Sequence, residues 1–90
     1  MQVSLIELAR AREVVGSVLE ELQLDAWLFE VEPREGQWEI RVECAVAGGW
    51  ESCRLSAEKD YLLRGADDAV VHEVLVDSWG EALSACLRKS

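Results

Sequence analysis

Residues 38–54, WEIRVECAVAGGWESCR, decide the fold of this chain. Apolar and polar side chains alternate through the first half of this stretch, and a strict period of two is typical of a β-strand with one buried face. The apolar set is Trp38, Ile40, Val42, Cys44 and Val46. Gly48 and Gly49 predict a two-residue hairpin loop, because primed turns need positive φ at one or both central positions. The stretch therefore predicts a β-hairpin with one apolar face.

The predicted loop also sets the pairing between the two strands of the hairpin. With Gly48–Gly49 in the loop, Ala47 pairs with Trp50. Counted outward, this register opposes apolar with apolar and acid with base: Val42 with Leu55, Cys44 with Cys53, and Glu43 with Arg54. Directly opposed cysteines lie within bridging range, so Cys44 and Cys53 are a candidate redox pair, with two buried free thiols as the alternative.

The residues before the hairpin predict a helix followed by a further strand. Ser4 and Glu7 have the spacing of a capping box. Apolar residues at three- and four-residue spacing then predict a helix from Ser4 to Leu22. Residues 27–31 alternate again, which predicts a strand. Pro33–Gly36 predicts the turn into the hairpin, because proline presets φ and glycine accepts positive φ.

The residues after the hairpin predict two helices. Ser56 is a suitable cap for a short helix that ends at Arg64, before Gly65. Asp67 and Asp68 predict the start of a long final helix over residues 69–88. Residues 70–76 are rich in β-branched side chains, so a strand there followed by a helix from residue 78 is the alternative. We favour the continuous helix.

These elements together predict one α+β domain over residues 1–90, because a chain this short has no room for a second core. The order is α-β-β-β-α-α. The sheet and both long helices each present one apolar face, and two layers are the simplest way to bury all three. We therefore expect a two-layer fold, with a three-stranded antiparallel sheet and the helices packed on one of its faces.

Charge and cysteine usage exclude several kinds of partner. The formal net charge is −9, from 18 acidic and 9 basic residues, and the chain has no Lys/Arg cluster. Nucleic acids and anionic membrane surfaces are bound by such clusters, so we expect neither as a partner. No apolar run approaches the ~20 residues of a membrane span. The three cysteines form no CxxC motif, which favours a reducing, cytoplasmic location.

The sequence offers no catalytic residue, cofactor motif or metal site. It has no GxGxxG, P-loop or HExxH motif. His72 is the only histidine and lies between acidic residues, which is typical of a solvated helix position. The small volume available for a pocket points the same way. We therefore expect a protein that is not an enzyme and needs no cofactor.

The solvent-facing side of the predicted sheet is the candidate partner-binding surface. It combines apolar and charged side chains, and the candidate contact residues are Leu28, Arg41, Trp50 and Arg54. Trp50 stands beside the glycine loop with little to cover it, and exposed tryptophans are frequent anchors of protein interfaces. The first strand is also expected at a sheet edge, where unpaired backbone groups can accept a further strand.

The order of a helix, three strands and a helix resembles the double-stranded RNA-binding domain in outline. Such a domain carries basic residues at the start of its last helix, where this chain has Asp67 and Asp68. That departure is evidence against RNA binding. The acidic α/β character is also similar to that of type III secretion chaperones, which are acidic homodimers, and of small acidic proteins that mimic DNA.

Three functions follow as expectations, in order of preference. The first is a small protein-interaction module, an adaptor, chaperone or regulator, that forms a homodimer because a small domain gains stability by burying an apolar patch against a copy of itself. The second is an acidic mimic of nucleic acid that inhibits a basic protein. The third is a redox-sensitive regulator that uses Cys44 and Cys53.

Overall fold

The helix, strand and helix order of the chain confirms the predicted α+β fold class. The structure, a computed structural model, describes residues 4–24 and 26–86. Its elements are α1 (Leu5–Leu22), β1 (Trp27–Arg34), β2 (Gln37–Val46), β3 (Gly49–Glu58), α2 (Lys59–Arg64), α3 (Ala69–Ala82) and a 3-10 turn at Ser84–Cys86. The strands form one antiparallel sheet in the order β1-β2-β3. The helices cover one face of this sheet, which we call the inner face, and the opposite face is the outer face.

The predicted capping box begins α1. The Ser4 hydroxyl accepts a hydrogen bond from the Glu7 amide at 3.0 Å, and the Glu7 carboxylate accepts one from the Ser4 amide at 3.2 Å. The helix ends at Leu22, and its C-terminal cap, Gln23, has a left-handed backbone with a φ of 57°. The helix buries one apolar stripe, formed by Ala11, Val14, Val15, Val18 and Leu19. This stripe packs onto the inner face and hides apolar surface from water, which is the main force holding the two layers together.

Central strand β2 supplies the middle of the core. The predicted alternation is confirmed, because Trp38, Ile40, Val42 and Cys44 are fully buried on the inner face. Trp38 also donates a hydrogen bond from its indole Nε1 to the Lys59 carbonyl at 3.2 Å, which ties the strand to the start of α2. Strand β1 joins β2 through a tight turn at Glu35 and Gly36, both with positive φ. The strand therefore continues through Pro33 and Arg34, which were predicted to be part of the turn.

The predicted register of the β2–β3 hairpin was wrong by two residues. Val46 pairs with Gly49, so the loop is Ala47–Gly48 and Gly49 already belongs to β3. Consequently the predicted pairs are replaced: Val42 pairs with Cys53, Glu43 with Ser52, Cys44 with Glu51, and Arg41 with Arg54. A shift of two keeps every side chain on its predicted face, so the alternation of apolar residues does not distinguish the two registers.

The helical predictions for the last third of the chain were right in kind and inaccurate in their limits. Strand β3 runs through Ser56, and Glu58 caps α2 by accepting from the Tyr61 amide at 2.8 Å. Asp68 caps α3, accepting from the amides of Val70 and Val71. Residues 70–76 are helical, as preferred, despite their β-branched side chains. The helix ends at Ala82, before the predicted limit of residue 88, and residues 87 and 88 of that prediction lie outside the described residues.

A disulfide joins the sheet to the end of the described chain. Cys44 in β2 is bonded to Cys86 in the 3-10 turn, with a Cα–Cα distance of 5.7 Å. Both residues are buried among apolar neighbours. The redox pair predicted from the hairpin register, Cys44 with Cys53, is therefore not formed, since Cys53 is a free, half-buried cysteine opposite Val42. The bond fastens residues 84–86 against the inner face.

Candidate functional site

The structure brings the four predicted contact residues together on the outer face. Across the strands, Trp50 pairs with Ala45, while Arg41 pairs with Arg54. Leu28 lies on β1, in the next row from Trp50. Its side chain is 63% exposed and that of Trp50 is 61% exposed, which is unusual for such large apolar groups. All four residues therefore lie on one face of the sheet, with β2 between Leu28 and Trp50.

The outer face divides into an apolar half and a charged half. The half near the Ala47–Gly48 loop, which we call the loop half, carries Leu28, Ala45 and Trp50. Trp50 is exposed because it lies on edge strand β3, where its cross-strand partner on β2 is the small residue Ala45. The neighbouring Glu43 is partly buried between Leu28 and Ser52. The loop half therefore offers an aromatic side chain over a shallow apolar floor.

The charged half neutralises its own charges. Three acidic residues and three arginines line a depression of about 160 Å³: Glu30, Glu32, Arg34, Glu39, Arg41 and Arg54. Arg41 binds Glu30 at 2.5 Å. Glu39 accepts from both Arg34, at 2.8 Å, and Arg54, at 3.3 Å. The like charges of Arg41 and Arg54 are therefore each compensated by an acid on a neighbouring strand, and the depression presents no field of one sign.

A second concave surface, which we call the groove, lies between α1 and the start of α3. It has a volume of about 580 Å³, and five of the described residues that line it are acidic: Glu13, Glu21, Asp67, Asp68 and Glu73. Arg10 offsets part of this charge by contacting Asp67 at 3.7 Å, and the His72 ring contacts Glu21 at 2.7 Å. The sequence shows the acids near His72, but it does not indicate that Glu13 and Glu21 join them. These two residues belong to α1, which is distant in the chain.

The chemistry of the two surfaces differs in kind. The loop half of the outer face can bury an apolar group of a partner, whereas the groove attracts positive charge. Among residues 4–24 and 26–86, no set of three histidine, cysteine or carboxylate side chains is close enough to hold a metal ion. The buried side-chain polar atoms of these residues all have hydrogen-bond partners. The core therefore contains no described polar group aimed into a cavity.

Two further findings concern the chain as a whole. Within the described residues, none of the helices combines the length and the apolar character needed to cross a membrane. Comparison of the sequence with protein-family models and with curated proteins, and of the fold with solved structures, finds no match.

Proposed function

We propose that the chain is a small, non-enzymatic protein-interaction module that forms a homodimer and binds a further protein through the loop half of its outer face. The exposure of Trp50 carries this proposal. Leaving a tryptophan largely in water forgoes about 2–3 kcal/mol of hydrophobic burial, and a partner that covers the side chain recovers it. Adaptors, chaperones and regulators all work through contacts of this kind.

The surroundings of Trp50 support the same proposal. Protein interfaces commonly place an aromatic anchor in an apolar centre and surround it with a polar rim. On the outer face Ala45 pairs with the anchor, Leu28 lies across β2 from it in the next row, and the ion-paired charged half provides one side of such a rim. Because these charges are already compensated, a partner meets little net charge there.

Site-specific photo-crosslinking tests the proposal. A photoreactive phenylalanine analogue replaces Trp50 in one variant and Leu28 in a second, and each is expressed in the native host. Val70, which is apolar and 69% exposed on α3, is the matched control position. We expect both outer-face variants to capture the same protein, identified by mass spectrometry, and the Val70 variant not to capture it. Equal capture at all three positions, or none at the outer face, contradicts the proposal.

A second candidate function, the acidic mimic of nucleic acid, is supported by the groove. Five carboxylates are gathered there, and among the described residues Arg10 is the one cation that forms an ion pair with them. Competition against a DNA duplex for a basic DNA-binding protein tests this function. A mimic displaces the duplex, and the double substitution Glu13→Gln with Glu21→Gln weakens the competition. Failure to compete at low salt, where electrostatic attraction is strongest, eliminates the candidate.

The third candidate, a redox regulator, now depends on Cys44 and Cys86 rather than on Cys44 and Cys53. A persistent disulfide is rare in a reducing cytosol, so this bond bears against the predicted cytoplasmic location. Acid quenching of host cells followed by alkylation under denaturing conditions tests both points, because Cys44 and Cys86 are buried in the folded chain. Modification of Cys53 alone indicates an oxidising location, whereas modification of all three cysteines indicates the cytoplasm.

A further inference from the structure

The edge of β1 has an unpaired row of backbone groups. The Ala45 amide donates to the Ala26 carbonyl at 2.9 Å, which sets the hydrogen-bonding phase of the β1–β2 ladder. In that phase the even-numbered residues of β1 bond to β2, and the odd-numbered residues turn their N–H and C=O groups outward. The outward set is Trp27, Phe29 and Val31, and it ends at Pro33, which has no N–H. None of the described residues bonds to these outward groups.

The side chains of this edge are apolar and incompletely covered. Trp27 and Phe29 are half-buried neighbours on the inner face, with ring centroids 5.8 Å apart. Leu28, between them, is largely exposed on the outer face. An exposed apolar edge strand is a template for pairing with another strand. The charged side chains of Glu30 and Glu32 disfavour the addition of a further strand only along the second half of β1.

Helix α1 contains a glycine beside this edge that the single chain does not require. A Cβ added at Gly16 would lie 3.7 Å from the Phe29 ring, which is an ordinary van der Waals contact. Gly65 differs, because a Cβ there would come within 2.9 Å of Val14 Cγ1. Glycine inside a helix is less favourable than alanine, so its presence at residue 16 calls for a reason outside the packing of one copy. Close approach of a second backbone is such a reason.

Two opposite charges flank Gly16 at equal distance along α1. Arg12 precedes Gly16 by four residues and Glu20 follows it by four, so all three lie on one stripe of the helix. Both charged side chains are exposed, and neither forms an ion pair with the described residues. Arg12 borders a depression of about 380 Å³ together with Phe29 and Val31, which places it at the β1 edge.

We infer that the homodimer forms by antiparallel pairing of β1 with β1 of a second copy, about a two-fold axis at Phe29. This inference deepens the proposed function by naming the surface of self-association. The axis pairs Trp27 with Val31 of the partner subunit, engages every outward N–H, and joins two three-stranded sheets into one. In this register Leu28 lies opposite Glu30 of the partner subunit, so Glu30 does not face another acidic residue.

The same axis makes the α1 helices self-complementary. Gly16 lies beside the Phe29 ring, since a Cβ added there would be 3.7 Å from it, so a two-fold axis at Phe29 brings the two α1 helices together near Gly16. In an antiparallel crossing at Gly16, Arg12 faces Glu20 of the partner subunit, and the reciprocal pair forms on the other side. One two-fold axis thus accounts for the open edge of β1, for Gly16, and for Arg12 and Glu20, which have no ion-pair partner among the described residues. A foreign strand at β1 would account for the edge alone.

Charge reversal tests this geometry. Sedimentation equilibrium gives the dimer dissociation constant, and circular dichroism confirms that each variant is folded. Arg12→Glu and Glu20→Arg should each raise the dissociation constant about tenfold, because each creates two like-charge contacts per dimer. The double variant should return to within about threefold of the wild type, since it restores both pairs with opposite polarity. Arg10→Glu, on the groove side of α1, is the matched control and should leave dimerisation unchanged.

Gly16→Ala gives an independent test with effects of opposite sign. Alanine has the higher helix propensity and the single chain has room for it, so the melting temperature of the dilute monomer should rise. The dimer dissociation constant should increase about tenfold, because the added methyl groups meet at the axis. A monomeric mass for the wild type at its highest soluble concentration, or a double charge variant no better than the single ones, overturns the inference.

These results are separable from those on the proposed partner surface. Crosslinking from residue 50 reports on the outer face, whereas the Arg12, Gly16 and Glu20 variants report on the β1 edge. A partner captured at residue 50 by a monomeric chain overturns the dimer and leaves the interaction module standing. A dimer with the expected charge dependence, together with no capture at the outer face, supports the β1 interface and contradicts the proposed partner surface.

Discussion

The inner and outer faces of the sheet are formed by alternate residues of the same three strands, but they hold their side chains by different forces. The inner face is largely buried and apolar, and a disulfide joins it to the 3-10 turn. The outer face is exposed, the charges of its charged half bind one another, and its largest apolar group is left in solvent. The pleat of the strands therefore separates buried from exposed side chains: one face supports the fold, and the other carries the partner surface that we propose.

The largest test of this separation compares two tryptophans. Trp38 is 0% exposed on the inner face and Trp50 is 61% exposed on the outer face. Trp38→Ala should lower the free energy of unfolding by about 3–5 kcal/mol, because it leaves a cavity and removes the hydrogen bond to Lys59. Trp50→Ala should change it by less than about 0.5 kcal/mol. Urea denaturation followed by circular dichroism measures both, and comparable losses would contradict the separation.

The disulfide gives the next largest effect. Cys44 and Cys86 are 42 residues apart in sequence, so the bond removes much conformational freedom from the unfolded chain. Reduction should lower the free energy of unfolding by about 2–4 kcal/mol. Parallel urea titrations with and without a phosphine reductant measure the difference. A Cys44→Ala, Cys86→Ala double variant should show no effect of the reductant, and a remaining effect would mean that another bond is responsible.

The ion pairs of the outer face give the smallest effect. Glu39 binds Arg34 and Arg54, whose side chains are 65% and 72% exposed, so solvent screens both contacts. Glu39→Gln should lower the free energy of unfolding by less than about 1 kcal/mol at low salt. The loss should vanish at about 1 M salt, where the Debye length is only ~3 Å. Glu43 lies on the same face and forms no ion pair with the described residues, so Glu43→Gln should be neutral at both salt concentrations.

Much of the fold could be predicted because its signals are local. The Ser4–Glu7 capping box and the alternation in β2 depend on residues a few positions apart, and both are confirmed. The hairpin register could not be predicted with the same certainty, because two adjacent glycines allow two loops that preserve the same faces. Residues 70–76 show the opposite case, in which packing of Val71 and Leu75 against the core outweighs a weak β-preference.

The candidate sites also divide into those that local sequence signals predict and those that depend on tertiary packing. The exposure of Trp50 was predictable, since the small residues around the loop are its neighbours in sequence. The Cys44–Cys86 bond and the groove were not, because each joins residues that only the tertiary packing brings together. The groove needs acids from α1 and from the start of α3, and no spacing within either segment indicates the other.

Hydrogen exchange at the indole N–H of Trp38 can report on the opening motions of this domain in solution. Its N–H is bonded to the Lys59 carbonyl inside the core, whereas the Trp50 indole lies mostly in solvent. In a proton NMR spectrum taken in heavy water, the Trp50 indole signal should disappear quickly. The Trp38 signal should persist, since its exchange needs an opening that separates β2 from the start of α2. Its lifetime thus measures the free energy of that opening without any denaturant.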